Sequence, residues 1–132
     1  MERYFIEGSA TTPEVDFNPK DGVIKISGRA IPEDAKHFWS PVLSWFFAYS
    51  SAPVESTKIT FDMAYYNIHS AKQIMFIFYR INDMYKDGFK VEVTWLYEKD
   101  DIEMKEAGYD FASLLCFDIN IIEKVEELAA VS

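Results

Sequence analysis

The run Tyr65-Tyr66-Asn67-Ile68-His69-Ser70 is the stretch of this chain best placed to do chemistry. It lies where a strand-like pattern gives way to a helical one. The first backbone N–H groups of a helix lack internal partners and sit at the positive end of the helix dipole. A phosphoryl group on a residue there would meet those donors and add roughly 1.5 to 2 negative charges. Ser70 carries a hydroxyl at this point; its other reading is an N-cap or first-turn residue that satisfies backbone donors. His69 can titrate near neutral pH beside a partner's charge and is a weak acceptor candidate, or it is a partly exposed helix-start residue. Ile68 is apolar at a turn where a polar residue is the default, so it is itself a candidate contact. A small-ligand pocket among Tyr65, Tyr66, His69 and Trp95 is a third possibility, but no catalytic set converges on it.

Other reactive residues form no recognisable centre. His37 and His69 are the only histidines, and neither has a second ligand three or four residues on, so no zinc motif exists and no metal is expected. Glu98, Asp100, Asp101, Glu103, Glu106 and Asp110 do not follow calcium-loop spacing. They read as a solvated acidic face at a helix start, or as a docking patch for a basic partner. Cys116 has no neighbouring base and is flanked by Leu115 and Phe117, so a buried, inert thiol is expected. There is no nucleophile elbow, phosphate-cradling loop or nucleotide fingerprint. No catalytic residue and no cofactor is assigned.

Composition narrows the class. The 132 residues fit one domain, and 17% of them are Phe, Tyr or Trp, enough for a substantial core. The net charge of −9 comes without any basic stripe. That repels nucleic acid and anionic membranes and favours protein partners with basic patches. No apolar stretch is long enough to span a bilayer. The N-terminus lacks a signal-peptide pattern, and a single cysteine suits a reducing compartment, so a cytoplasmic protein is expected. Partner identity and oligomeric state are not legible.

These residues must be positioned by alternating strands and helices. Residues 4–7 and 14–17 read as short strands. Asn18-Pro19-Lys20-Asp21-Gly22 is a turn leading into a strand at 23–28, which makes a hairpin. A helix is expected from Pro32 or Glu33 to Tyr49, with Ala35, Phe38, Trp39, Val42, Trp45, Phe46 and Tyr49 on its core face and Pro41 kinking or splitting it. In the strand 58–66, Ile59, Phe61, Met63 and Tyr65 alternate inward. The helix from His69 or Ser70 to Lys86 buries Ala71, Ile74, Ile77, Phe78, Ile81 and Tyr85. Lys72, Phe76, Tyr79 and Asp83 lie opposite, and Phe47 also points away from its own helix's main face. Such aromatics are interface anchors, unless more of the fold covers them. A strand at 89–97, a helix at 100–115 with a possible break at Gly108, a strand or capping segment at 116–122 and an acidic tail at 123–132 complete the chain. The expected fold is α/β (α+β): a mixed four- to six-stranded sheet with packed helices, in one domain whose core spans about 5–122. The 58–97 unit is expected to be a parallel crossover.

Several segments together resemble the SiaC family of bacterial biofilm-regulating phosphoproteins. They are Thr12-Pro13-Glu14-Val15-Asp16-Phe17, the run from Gly22-Val23-Ile24-Lys25-Ile26-Ser27-Gly28 through Arg29-Ala30-Ile31-Pro32-Glu33-Asp34-Ala35, Tyr65-Tyr66-Asn67, Ser70-Ala71-Lys72, and Val91-Glu92-Val93-Thr94-Trp95-Leu96-Tyr97. The resemblance implies a STAS-like regulatory domain that is not an enzyme. It implies protein partners: a diguanylate cyclase bound by the unmodified form, a dedicated protein kinase and a phosphatase, all in cyclic-di-GMP signalling. The family's acceptor is a Thr in a motif similar to Tyr-Phe-Asn-Thr-Ser-Ser. Here that position is Ile68, His69 replaces the next Ser, and Ser70 alone remains as the phosphoacceptor candidate. The resemblance, with the helix-start geometry, implies a partner-binding surface at Asn67, Ile68, His69 and Ser70, and the outward face of the helix adds Lys72 and Phe76 to the expected set. Without a switch at Ser70, the chain is a constitutive protein-binding adaptor.

Overall fold

Asn18 closes a tight hairpin through its own side chain. In the computed structural model, which describes residues 1–125, its Oδ1 accepts the N–H groups of Lys20 at 3.1 Å and Asp21 at 3.2 Å. Gly22 follows at φ 66°, where a Cβ would stand 2.4 Å from the Ser56 carbonyl oxygen, so only glycine fits. The hairpin joins β2 (Glu14–Asn18) to β3 (Val23–Ala30), and β1 (Tyr4–Ile6) pairs antiparallel to β2. From β3 onward strands and helices alternate: α1 (Ala35–Ser51), β4 (Ser56–Tyr66), α2 (Ile68–Lys86), β5 (Lys90–Tyr97), α3 (Ile102–Ala112) and β6 (Asn120–Glu123). The six strands lie in sequence order in one sheet, and β3 to β6 run parallel. The fold is thus mixed α/β, as expected, and β4–α2–β5 is a parallel unit.

Strand register explains the core. Phe17, Ile24, Ile59 and Val93 form one cross-strand row on a single face; Val15, Ile26, Phe61, Trp95 and Ile121 form the next. Asp16, Lys25, Thr60, Thr94 and Asn120 line up on the opposite, polar face. The apolar face meets all three helices. Phe17 contacts Phe46 of α1, Phe61 stacks on Phe78 of α2 at 4.7 Å, and Trp95 meets Phe111 of α3 at 5.3 Å. Each such aromatic pair adds about 0.5–1.5 kcal/mol beyond its burial.

Several local expectations need correction. Pro41 does not split α1, which runs unbroken from Ala35 with Asp34 as its N-cap. In α2 the buried positions are Ser70, Ile74, Ile77, Phe78, Ile81 and Met84, the helical period carried through; Tyr85 falls just off it and is exposed. Phe47 is partly buried, with the Arg80 guanidinium 5.0 Å from its ring centroid, so α2 covers it. Gly108 does not break α3. It is buried inside the helix, where a Cβ would stand 2.5 Å from Trp95 Cδ1, so the glycine lets helix and strand approach. Cys116 is exposed, not buried: the stretch between α3 and β6 has no strand pairing, and the side-chain oxygen of Asn82 accepts both its N–H (2.9 Å) and its thiol (3.2 Å). Of the expected acidic tail, residues 126–132 lie outside the described residues.

Candidate docking site

The start of α2 is built by Asn67. Its N–H donates to the Ala30 carbonyl at 3.1 Å, tying the helix to the end of β3. Its side-chain oxygen accepts the Ser70 N–H at 2.9 Å, which makes Asn67, not Ser70, the N-cap. The Ser70 side chain is not on the surface. It is fully buried, and its Oγ accepts the indole N–H of Trp39 at 2.9 Å. Ser70 is therefore the one member of the expected surface that turns inward, because the third residue of this helix faces α1. Ile68, by contrast, is 80% exposed, and His69 and Lys72 are also exposed. Phe76 is half-buried one turn beyond Lys72 on the same side of the helix.

Tyr65 joins this surface, against the simple alternation that placed it inside. Opposite β3, residue 64 is skipped: Gly28 pairs with Met63, but Arg29 pairs with Tyr65. This bulge reverses which residues of β4 face the helices. Tyr65 consequently emerges, 51% exposed, with the Arg29 guanidinium 5.9 Å from its ring, while Tyr66 turns in against Trp95 and Phe111. Gly28, at φ 106° inside a strand, was the signal that could have found it.

Between the end of β4 and the first half of α3 lies a recess of about 160 Å³, lined by Tyr65, Tyr66, Asp101, Glu103, Met104 and Ala107. Burial, then the charges of Asp110 and Asp101, push the Tyr66 phenol up to about 12. His69 and Trp95 do not line it; Trp95 is buried and donates its indole N–H to the Met104 carbonyl at 2.9 Å. The imagined pocket of Tyr65, Tyr66, His69 and Trp95 is thus not assembled. Asp101 caps α3 by accepting the Met104 N–H at 3.0 Å. Among the described residues no three His, Cys, Asp or Glu side chains gather as metal ligands would, and no helix is long and apolar enough to cross a membrane. What the start of α2 offers is an exposed branched aliphatic and a lysine on a capped helix end, beside an exposed tyrosine from the end of β4, an arrangement suited to contact with another macromolecule.

The comparisons with known proteins concern nearly the whole chain. A family model described as SiaC family regulatory phosphoprotein matches residues 6–124. An uncharacterised protein of Pseudomonas aeruginosa (strain UCBPP-PA14) is 24% identical over 114 residues, which is 84% of this chain and 88% of the relative. Apo-SiaC of Pseudomonas aeruginosa superposes with a TM-score of 0.84 at 21% identity, covering 92% of this chain and 98% of that one. SiaC from the same organism, in complex with the diguanylate cyclase SiaD that it activates, gives 0.86 at 20% identity over 92% and 99%. These likenesses show the shared fold, and the family match shows membership: the chain belongs to the SiaC family of regulatory phosphoproteins.

Proposed function

We propose that this protein is a non-enzymatic bacterial regulator in cyclic-di-GMP signalling, which docks to a diguanylate cyclase through the start of α2. Ile68, 80% exposed at a capped helix end beside the half-exposed Tyr65, carries this reading. An isolated exposed aliphatic needs no explanation, but one at the charge-sensitive end of a helix, flanked by an aromatic, has the make-up of an interface anchor. The complex of SiaD with its activator SiaC, a protein of the same fold, supplies the class of partner. The docking set is Asn67, Ile68, His69, Lys72 and Phe76, with Tyr65 added. A kinase and a phosphatase are further partners by family likeness, and a cytoplasmic location suits the single free thiol.

Of the two modes of regulation, we favour the constitutive adaptor. Ile68 has no hydroxyl, and the Ser70 hydroxyl is fully buried against Trp39 in the folded protein. Phosphorylation of Ser70 requires the first turn of α2 to open. The test is binding of wild type and Ile68→Asp to the diguanylate cyclases of the source organism. Wild type binds at least one, and the substitution weakens that binding about 5- to 150-fold, the loss of one interface anchor. Folding is unaffected, since Ile68 packs against little. Equal binding by both proteins removes the site, and absence of binding to any cyclase removes the reading. Intact mass of protein from its native cell shows the unmodified chain; a phosphorylated Ser70 would restore the switch.

A further inference from the structure

The net charge of this protein is not spread evenly. Residues 98–118 hold seven acids and two lysines, so five of the nine net negative charges fall in this segment. On the polar face of the sheet two acids are paired, Asp16 with Arg3 at 2.7 Å and Asp62 with Lys124 at 2.9 Å. Three of these acids, Glu103, Glu106 and Asp110, lie on α3. Met104 and Gly108 face the sheet and are buried, whereas Ile102, Glu103, Glu106, Tyr109 and Asp110 are exposed along the outward side of the helix. No lysine or arginine lies in that stripe; Lys105 turns aside, its ammonium 5.7 Å from the Tyr97 ring. Among the described residues, Glu103, Glu106 and Asp110 enter no ion pair. Within the stripe Ile102 and Tyr109 are 57% and 56% exposed, and seven residues of helix set them about 10 Å apart.

This face adjoins the docking site already described. The recess at the head of α3 is shared by Tyr65 of that site and Glu103 of this stripe. Charge chooses among possible occupants. A second copy of a chain with net charge −9 is repelled, as is nucleic acid or an anionic membrane. A positively charged protein segment with apolar side chains at helical spacing matches both the acids and the two anchors.

We propose that the outward face of α3 is the second half of the docking surface and receives a basic, amphipathic segment of the protein partner. This rests on the reading that a cyclase docks at the start of α2, and it names the partner chemistry that reading leaves open. The charges would steer encounter, and the apolar anchors would hold the complex.

The experiment measures association and dissociation rates with the cyclase that binds wild type, at low and high salt. The variants are the double reversal Glu103→Lys/Glu106→Lys, Tyr109→Ser, and Ile68→Asp. All alter exposed side chains, and thermal melts check folding. The reversal should slow association about tenfold at low salt, with the difference shrinking as salt rises. Tyr109→Ser should mainly speed dissociation. If the α3 variants match wild type in both rates and in salt dependence while Ile68→Asp binds weakly, the α3 proposal is wrong and the α2 docking site stands. If Ile68→Asp binds normally and the α3 variants do not, the α2 site is wrong and the partner docks on α3. A second measurement needs no cyclase. A synthetic Lys/Leu amphipathic helical peptide and its Glu/Leu counterpart are titrated into labelled wild type and followed by amide shifts. Shifts confined to the basic peptide and centred on Ile102 to Asp110 support the proposal. No shifts, or shifts centred elsewhere, overturn it.

Discussion

Replacing Ser70 by Ala tests the inward placement of the hydroxyl that sits nearest the docking site. In the folded protein Ser70 Oγ accepts the Trp39 indole N–H at 2.9 Å, and both residues are fully buried. Alanine removes the acceptor and leaves the buried indole donor without its partner. An unsatisfied buried donor costs about 1–3 kcal/mol. With an unfolding entropy of roughly 2.1 cal/mol/K per residue, this chain length turns that cost into a Tm lower by about 4–11 °C. Differential scanning calorimetry or thermal circular dichroism measures it. Trp39→Phe removes the donor and also some packing, so the pair is resolved by a double-mutant cycle, which should show coupling of about 1 kcal/mol or more. Ser70→Asp places a carboxylate at the same buried point and should destabilise more than Ala does, by desolvation. A Tm loss under about 2 °C for Ser70→Ala, or a cycle with no coupling, would mean that the hydroxyl is free to turn outward. Constitutive docking would then lose its structural support.

Two further outcomes are expected. Gly108→Ala should destabilise by about 1–3 kcal/mol or more, because its Cβ would stand 2.5 Å from Trp95 Cδ1 in a packed core; a urea melt showing less than about 0.5 kcal/mol would contradict the close approach of α3 to β5. Tyr66 should ionise in the folded protein at about 12, against an ordinary value near 10 for an unperturbed tyrosine, so the high-pH ultraviolet titration should lose its last step in Tyr66→Phe. The folded state favours the neutral phenol, the contribution is complete below about pH 10, and it is lost as the pH rises through 12; wild type should therefore lose more stability over that range than the Phe variant does.

Much of the architecture was legible because it depends on local periodicity. Period-two alternation marked β4 and β5, the helical stripe of Ile74, Ile77, Phe78 and Ile81 marked α2, and Asn18 to Gly22 marked the hairpin into β3. Residue patterns also made the start of α2 a place to look, through Asn67, Ile68 and Ser70. They could not decide which of Asn67 and Ser70 caps the helix, since both side chains have the chemistry for it. That choice belongs to the chain's path: Asn67 is tied to Ala30 of β3, which begins the helix one residue later, and Ser70 then turns inward. Sequence by itself thus determined the strands, the helices and the family frame, all set by interactions over a few residues. Only the tertiary structure decided the exposures that matter. Ser70 is hidden by Trp39, 31 residues away; Tyr65 is brought out and Tyr66 turned in by a bulge against β3; and the acids of α3 face outward because Gly108 seats the other side of that helix on Trp95. Each outcome depends on a partner distant in sequence, and no local pattern encodes which distant residue that will be.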